Sequence, residues 1–156
     1  MVGALAAVPA CTPDALTRKD ADGGEVGRVD SGGRVTELCL LVADSAAAHQ
    51  RGLSSRESLD PFDGMLFVFD RKGPYRFWMK DTTIPLDLVP VGSDGVLGPP
   101  IAMPPCPGGA ACPTYGPPEP YDRALELPQG LLASEGIDPA VSRAVFTRTG
   151  AVCPTR

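Results

Sequence analysis

The chain has 156 residues, 43% of them hydrophobic, and a formal net charge of −5. That length suits one domain with a real core. The acidic balance supplies no basic footprint for nucleic acid and no attraction to an anionic membrane surface, and no later apolar run approaches the ~20 residues of a membrane span.

Met1 to Ala10 is apolar and is followed by Cys11. The stretch resembles the end of a secretory signal, and Val8-Pro9-Ala10-Cys11 resembles the box at which a bacterial lipoprotein cysteine is acylated. Pro9 is unusual there and no Lys or Arg precedes the run, so a floppy tail is the competing reading. Residues 12–33 show no hydrophobic period and read as a disordered tether. The expected layout is a signal-like segment and tether over 1–33, one β-rich domain over 34–150 and a tail over 151–156. The expected location is extracytoplasmic, either secreted or anchored to the envelope by a lipid on Cys11.

Val35 to Val42 reads as a strand, covered on both faces where its apolar run is continuous. Asp44 or Ser45 can cap a short helix through Arg51, and Gly52 can end it. Ser54 and Glu57 have capping-box spacing, which predicts a second helical turn to Leu59 before Asp60-Pro61. Met65 to Phe69 is an apolar strand, expected to form an antiparallel hairpin with the stretch Tyr75–Lys80. In that stretch alternation puts Tyr75, Phe77 and Met79 on one face and Arg76, Trp78 and Lys80 on the other. Pro85 argues for an edge or a break. Leu86 to Val91 is the next strand, and Gly92-Ser93-Asp94-Gly95 turns the chain. Val96 to Met103 returns weakly around Pro99-Pro100, and residues 104–120 form a long Pro- and Gly-rich loop. Ala124 to Leu127 is a strand, Gln129 to Glu135 a helical segment, and Val141 to Thr147 the last strand. The fold class expected is mainly β, a compact antiparallel sandwich or barrel with two or three short helices.

The chain has five cysteines and one histidine, His49. With Cys11 set aside as a lipid site, four remain. Cys106 and Cys112 flank a Gly-Gly turn and are expected to pair, leaving Cys39 with Cys153. The rival reading, a metal site, lacks CxxC spacing and a second histidine, so neither metal nor cofactor is expected. Nucleophilic hydrolysis lacks a GxSxG elbow and would depend on His49, which reads as a partly exposed helix residue. No phosphate or dinucleotide loop is present.

Several stretches together resemble one family. They are Arg51-Gly52-Leu53, then Asp63-Gly64-Met65-Leu66-Phe67-Val68-Phe69, then Phe77-Trp78-Met79-Lys80-Asp81-Thr82-Thr83-Ile84-Pro85-Leu86-Asp87. Met103-Pro104-Pro105-Cys106, Cys112-Pro113-Thr114-Tyr115 and Leu125-Glu126-Leu127-Pro128-Gln129-Gly130 follow in the same order. The chain thereby resembles the bacterial and archaeal domain of unknown function 192 family over about residues 35–150. The resemblance implies a compact β-sandwich-like domain, often exported, and no established activity. Asp81 stands where the family usually has Asn, Ser54 where Met is common and Ala140 where Gly is common.

The function expected is that of an extracytoplasmic accessory domain binding a small polar ligand, a carbohydrate or another envelope component. Its expected pocket is bordered by Arg51, Trp78, Lys80, Asp87 and Tyr115, with Asp81 beside it. An aromatic ring can cover the C–H face of a sugar while polar neighbours bond its hydroxyls. Two rival readings stay open. One is a hydrolase or lyase that divides acid and base roles between Asp81 and Asp87. The other is a structural envelope protein in which Trp78 is core and Asp87 bonds backbone donors or Arg51.

Overall fold

The structure is a computed structural model and describes residues 24–108 and 111–147. Cys11 and Cys153 lie outside the described residues, as does the signal-like segment.

The chain opens with strands β1 (Gly24–Ser31) and β2 (Arg34–Ala43), joined at Gly32 and Gly33. Both glycines have positive φ, 63° and 95°, as a tight two-residue hairpin turn requires. The first strand overturns part of the tether reading: Gly24 to Ser31 pairs along its whole length with β2. Its polar composition hid it, because a strand paired on both sides, here by β2 and β9, can be held by backbone bonds and a few inward residues such as Val29, which is fully buried.

Helix α1 (Ala46–Arg51) follows β2. Ser45 is its N-cap, its hydroxyl accepting the Ala48 N–H at 3.3 Å, and Gly52 ends it at φ 48°. The second helical turn predicted at Ser54 does not form. The Ser54 hydroxyl donates instead to the carbonyl of Lys80 at 2.9 Å, and Ser55 adopts φ 60° and donates its N–H to Asp81 O. A long-range partner has taken the capping group.

Strand β3 (Gly64–Gly73) lies parallel to β2, the intervening stretch with α1 serving as the crossover that parallel pairing requires. Its other neighbour is β8 (Tyr121–Pro128), antiparallel. The expected hairpin between β3 and the Trp78 stretch is therefore absent. Strand β4 (Phe77–Trp78) pairs with β7 (Thr114–Tyr115) in a separate two-stranded ribbon. Pro74 has no N–H to continue a ladder back along β3. Tyr75 instead stacks on Phe69, with 3.7 Å between centroids and 9° between planes, so the chain folds over the face of the sheet.

Strands β5 (Leu86–Val91), β6 (Ile101–Met103) and β9 (Ser142–Thr147) complete a seven-stranded sheet in the order β6-β5-β8-β3-β2-β1-β9. Helix α2 (Leu131–Ser134) and a 3-10 turn (Pro139–Val141) link β8 to β9. The sheet is curled into a half-barrel. Its two sides meet through residues 95–97: Ala144 N–H donates to Gly95 O at 2.8 Å, while Gly92 N–H donates to Val96 O at 2.9 Å. Gly95 is required there, because φ is 83° and a Cβ would overlap the Ala144 carbonyl oxygen.

Strand alternation divides the core into two clusters, one on each face. The inner cluster contains Leu38, Leu40, Leu66, Val89, Leu125 and Leu127, with Leu132 and Ile137 from the α2 region against it. The outer cluster contains Met65, Phe67, Phe77, Met79, Leu86 and Leu88, with α1 against it through Ala48. The fold is mainly β, as the sequence predicts.

Candidate functional site

The outer cluster is incompletely covered. Between α1 and the β4–β7 ribbon lies a groove of about 560 Å³. Phe67, Phe69, Tyr75 and Phe77 supply its aromatic walls. Phe67 and Phe69 come from alternate positions of β3, so both project to the outer face. Phe77 meets Phe67 edge to face at 4.8 Å.

Trp78 stands at this groove and is 50% exposed. It alternates away from Phe77 and Met79, which are buried, so the sequence reading of two faces holds. Lys80 lies on the Trp78 side, its Nζ 5.6 Å from the ring centroid. Arg76, the third residue of that face, is not free to bind. Its guanidinium donates to Gly116 O at 2.6 Å and to Thr114 O at 2.7 Å, and so clamps β7 beside β4.

His49 and Gln50 of α1 line the opposite wall. His49 Nε2 is 2.9 Å from Ala43 O and 3.0 Å from Val68 O. Both partners only accept, so Nε2 carries a hydrogen and Nδ1 is the nitrogen left to accept in the neutral ring. The ring also packs on Phe69 at 4.7 Å. His49 is thus a pinned member of the wall, a partly exposed helix residue as the sequence reading has it. Its contacts join α1 to β3 across a distance in sequence that no local pattern reveals.

The other expected site residues are dispersed. Tyr115 packs half-buried against the outer cluster and pairs with Phe77, while its neighbour Thr114 lines the groove. Arg51 is in the last turn of α1, exposed, and is not among the groove's lining residues. Asp81 has φ 55° and exchanges backbone bonds with Ser55 and Cys106. This left-handed conformation is one that Asn and Asp tolerate best among side-chain-bearing residues, which accounts for either residue at this position. Asp87 is 9% exposed and its Oδ2 accepts the Gly130 N–H at 2.8 Å, just ahead of α2. It alternates with Leu86 and Leu88 of the outer cluster, so its side chain leaves the face that carries the groove. No hydrogen bond joins Asp81 to Asp87 among the described residues.

Cys106 and Cys112 are joined by a disulfide, with Cα atoms 6.0 Å apart. The bridge closes the loop that leads into β7, and Cys106 also exchanges backbone bonds with the Asp81–Thr82 segment. It therefore ties the Thr114 wall of the groove to the Trp78 strand's continuation. Cys39 is disulfide-bonded too; its expected partner, Cys153, is outside the described residues.

Beneath the groove lies a residue that the sequence reading did not single out. Glu126 is 4% exposed, on the outer face of β8, and its Oε2 has no hydrogen-bond partner. A Cβ placed on Gly52 would lie 3.9 Å from that oxygen and 3.6 Å from the Phe67 ring, so the carboxyl is packed between the end of α1 and the groove's floor. Burial pushes its pKa up to about 8. Tyr121 is also raised well above the ordinary phenol, chiefly by burial, with Arg76 opposing the shift and Tyr75 adding to it. Its hydroxyl donates to Tyr75 O at 2.6 Å and holds the groove's second aromatic layer. No cluster of three or more His, Cys, Asp or Glu able to hold a metal exists among the described residues.

No curated protein matches the chain. Crystal structures similar to it include the following two. One, from Sinorhizobium meliloti 1021 and labelled a candidate transcription regulator, shares 29% identity at a TM-score of 0.70, covering 82% of this chain and 97% of its own. The other, a protein of unknown function from Novosphingobium aromaticivorans DSM 12444, shares 26% identity at a TM-score of 0.68, covering 90% and 94%. A family model for an uncharacterised conserved region (Uncharacterized ACR) matches residues 27–142, and the chain belongs to that family, the domain of unknown function 192 family.

Proposed function

We propose that this protein is an extracytoplasmic accessory domain that binds a small polar ligand in the groove beside Trp78. The ligand class that suits it is a carbohydrate or a similar hydroxyl-bearing envelope component. The observation that carries the reading is the half-exposed Trp78 at an aromatic-walled groove of about 560 Å³, a volume within the ~300–1,000 Å³ usual for ligand sites. The aromatic walls suit C–H faces, while Gln50, Thr114 and the His49 ring supply polar groups around them. The Cys106–Cys112 bridge supports an oxidising compartment. The regulator label of one relative is not carried over, because a net charge of −5 disfavours a nucleic-acid partner.

Trp78 is the only tryptophan, so its emission reports this groove alone. Titration with neutral and N-acetylated mono- and disaccharides should change that emission saturably. Trp78→Phe, followed by calorimetry, should weaken the same saccharide. Flat titrations across the panel, or calorimetric binding unchanged in Trp78→Phe, would reject the reading.

A further inference from the structure

The half-barrel has a second opening, at the end of the inner cluster away from α2. Leu66, Val68, Ala144 and Phe146 wall a cavity there of about 370 Å³, bounded on one side by the turn at Ser93–Gly95. Arg123 also lines it. Arg123 pairs in register with Val68 on one side and Val91 on the other. It is in step with Leu125 and Leu127 along β8, so its side chain enters the inner face.

Arg123 is partly buried, yet its guanidinium makes no hydrogen bond or ion pair with any described residue. Arg56 is likewise partly buried without such a bond, but it does not line this cavity. Arg28 bonds Glu37, Arg76 bonds two carbonyls and Arg143 bonds Asp94. One carboxylate shares the cavity, that of Asp94. Its Oδ1 accepts the Val96 N–H at 3.2 Å and its Oδ2 is 3.6 Å from Arg143 Nη1, so its charge is already offset. Asp122 precedes Arg123 in β8 and is not among the residues that line the cavity. The cavity thus presents one uncompensated guanidinium between apolar walls.

A guanidinium in that setting is partly stripped of water, and its attraction for a counter-charge is stronger than on an open surface. Its planar fork matches the two oxygens of a carboxylate. We propose that the cavity is a second ligand site, distinct from the Trp78 groove, that takes a small aliphatic carboxylate. The carboxylate group sits on Arg123, and the chain lies against Leu66, Val68 and Phe146. The volume is at the low end of the usual ~300–1,000 Å³ range, which limits the ligand to a short chain.

Hexanoate, hexanol and inorganic phosphate titrated into the protein, followed by amide chemical shifts, test this. Hexanoate should bind saturably, moving the amides of Gly95 and Ala144 and leaving Trp78 emission unchanged. Hexanol, which lacks the charge, and phosphate, which lacks the chain, should each bind about tenfold more weakly or worse. Arg123→Met should lose hexanoate by a similar factor and Arg123→Lys should recover part of it. The hexanoate–hexanol comparison needs no variant and so stands even where Arg123→Met fails to fold. Equal binding of hexanol, tighter binding of phosphate, undiminished hexanoate binding by a folded Arg123→Met, or no hexanoate binding at all would each overturn the assignment.

Discussion

The rings of Phe67 and Phe77 meet edge to face, 4.8 Å apart and 87° between planes. They belong to β3 and β4, two strands that share no ladder. The contact therefore holds the β4–β7 ribbon to the sheet and shapes the groove between them. Phe77 is 8% exposed and Phe67 2%. Phe77→Ala should destabilise the domain by roughly 3–5 kcal/mol, measured by chemical denaturation. An unchanged midpoint would mean that the ribbon is held by other contacts.

Trp78 and Lys80 should behave in the opposite way. Both are exposed, and their mutual contact is a cation–π pair at the surface. Lys80→Ala should change stability by no more than about 1 kcal/mol, while weakening any saccharide that binds at Trp78. Loss of stability well beyond that figure would assign Lys80 to the fold.

Glu126 makes the domain's stability depend on pH with a definite sign. Burial raises its folded pKa from the ordinary carboxyl range to about 8. Between those values the folded state holds a proton that the unfolded state has released. The stabilisation from protonated Glu126 is thus complete below about pH 4.5 and is lost as pH rises through about 8. Glu126→Gln keeps the neutral shape and removes the titration. The variant and the parent should be of similar stability near pH 5, with the variant ahead at pH 9 by on the order of several kcal/mol. Parallel stability curves for the two across that range would contradict the burial of an ionisable carboxyl.

Asp87 holds the Gly130 amide that precedes α2. Asp87→Ala removes the acceptor of that part-buried bond and should cost about 0.5–1.5 kcal/mol. Hydrogen exchange should localise the loosening to residues 130–137, where Leu132 and Ile137 pack on the inner cluster. Exchange rates unaltered there would remove Asp87 from this role.

Short-range features of this protein are legible in its residues. Alternation at Tyr75–Lys80, the Ser45 cap, the Gly52 stop and the turn at Gly92–Gly95 each depend on groups within a few residues of one another. Phe67, Phe77 and Leu88 share one apolar cluster, and each stands on the apolar face of a stretch that reads as a strand. The placement of Trp78 and Lys80 on one face followed from the same alternation.

Only the tertiary structure decided which strands would be neighbours. β3 has apolar residues on both faces and could satisfy its backbone against several strands; β2 and β8 took both its edges and forced the Trp78 strand onto the sheet's outer surface. That outcome brought His49, Phe69 and Thr114 together around one groove, from segments whose local patterns show no relation. It also placed Asp87 toward Gly130, buried Glu126 under Phe67 and left Arg123 facing an open cavity. Each of these depends on competition among distant surfaces for burial and for backbone partners, and a local sequence pattern cannot rank those competitors.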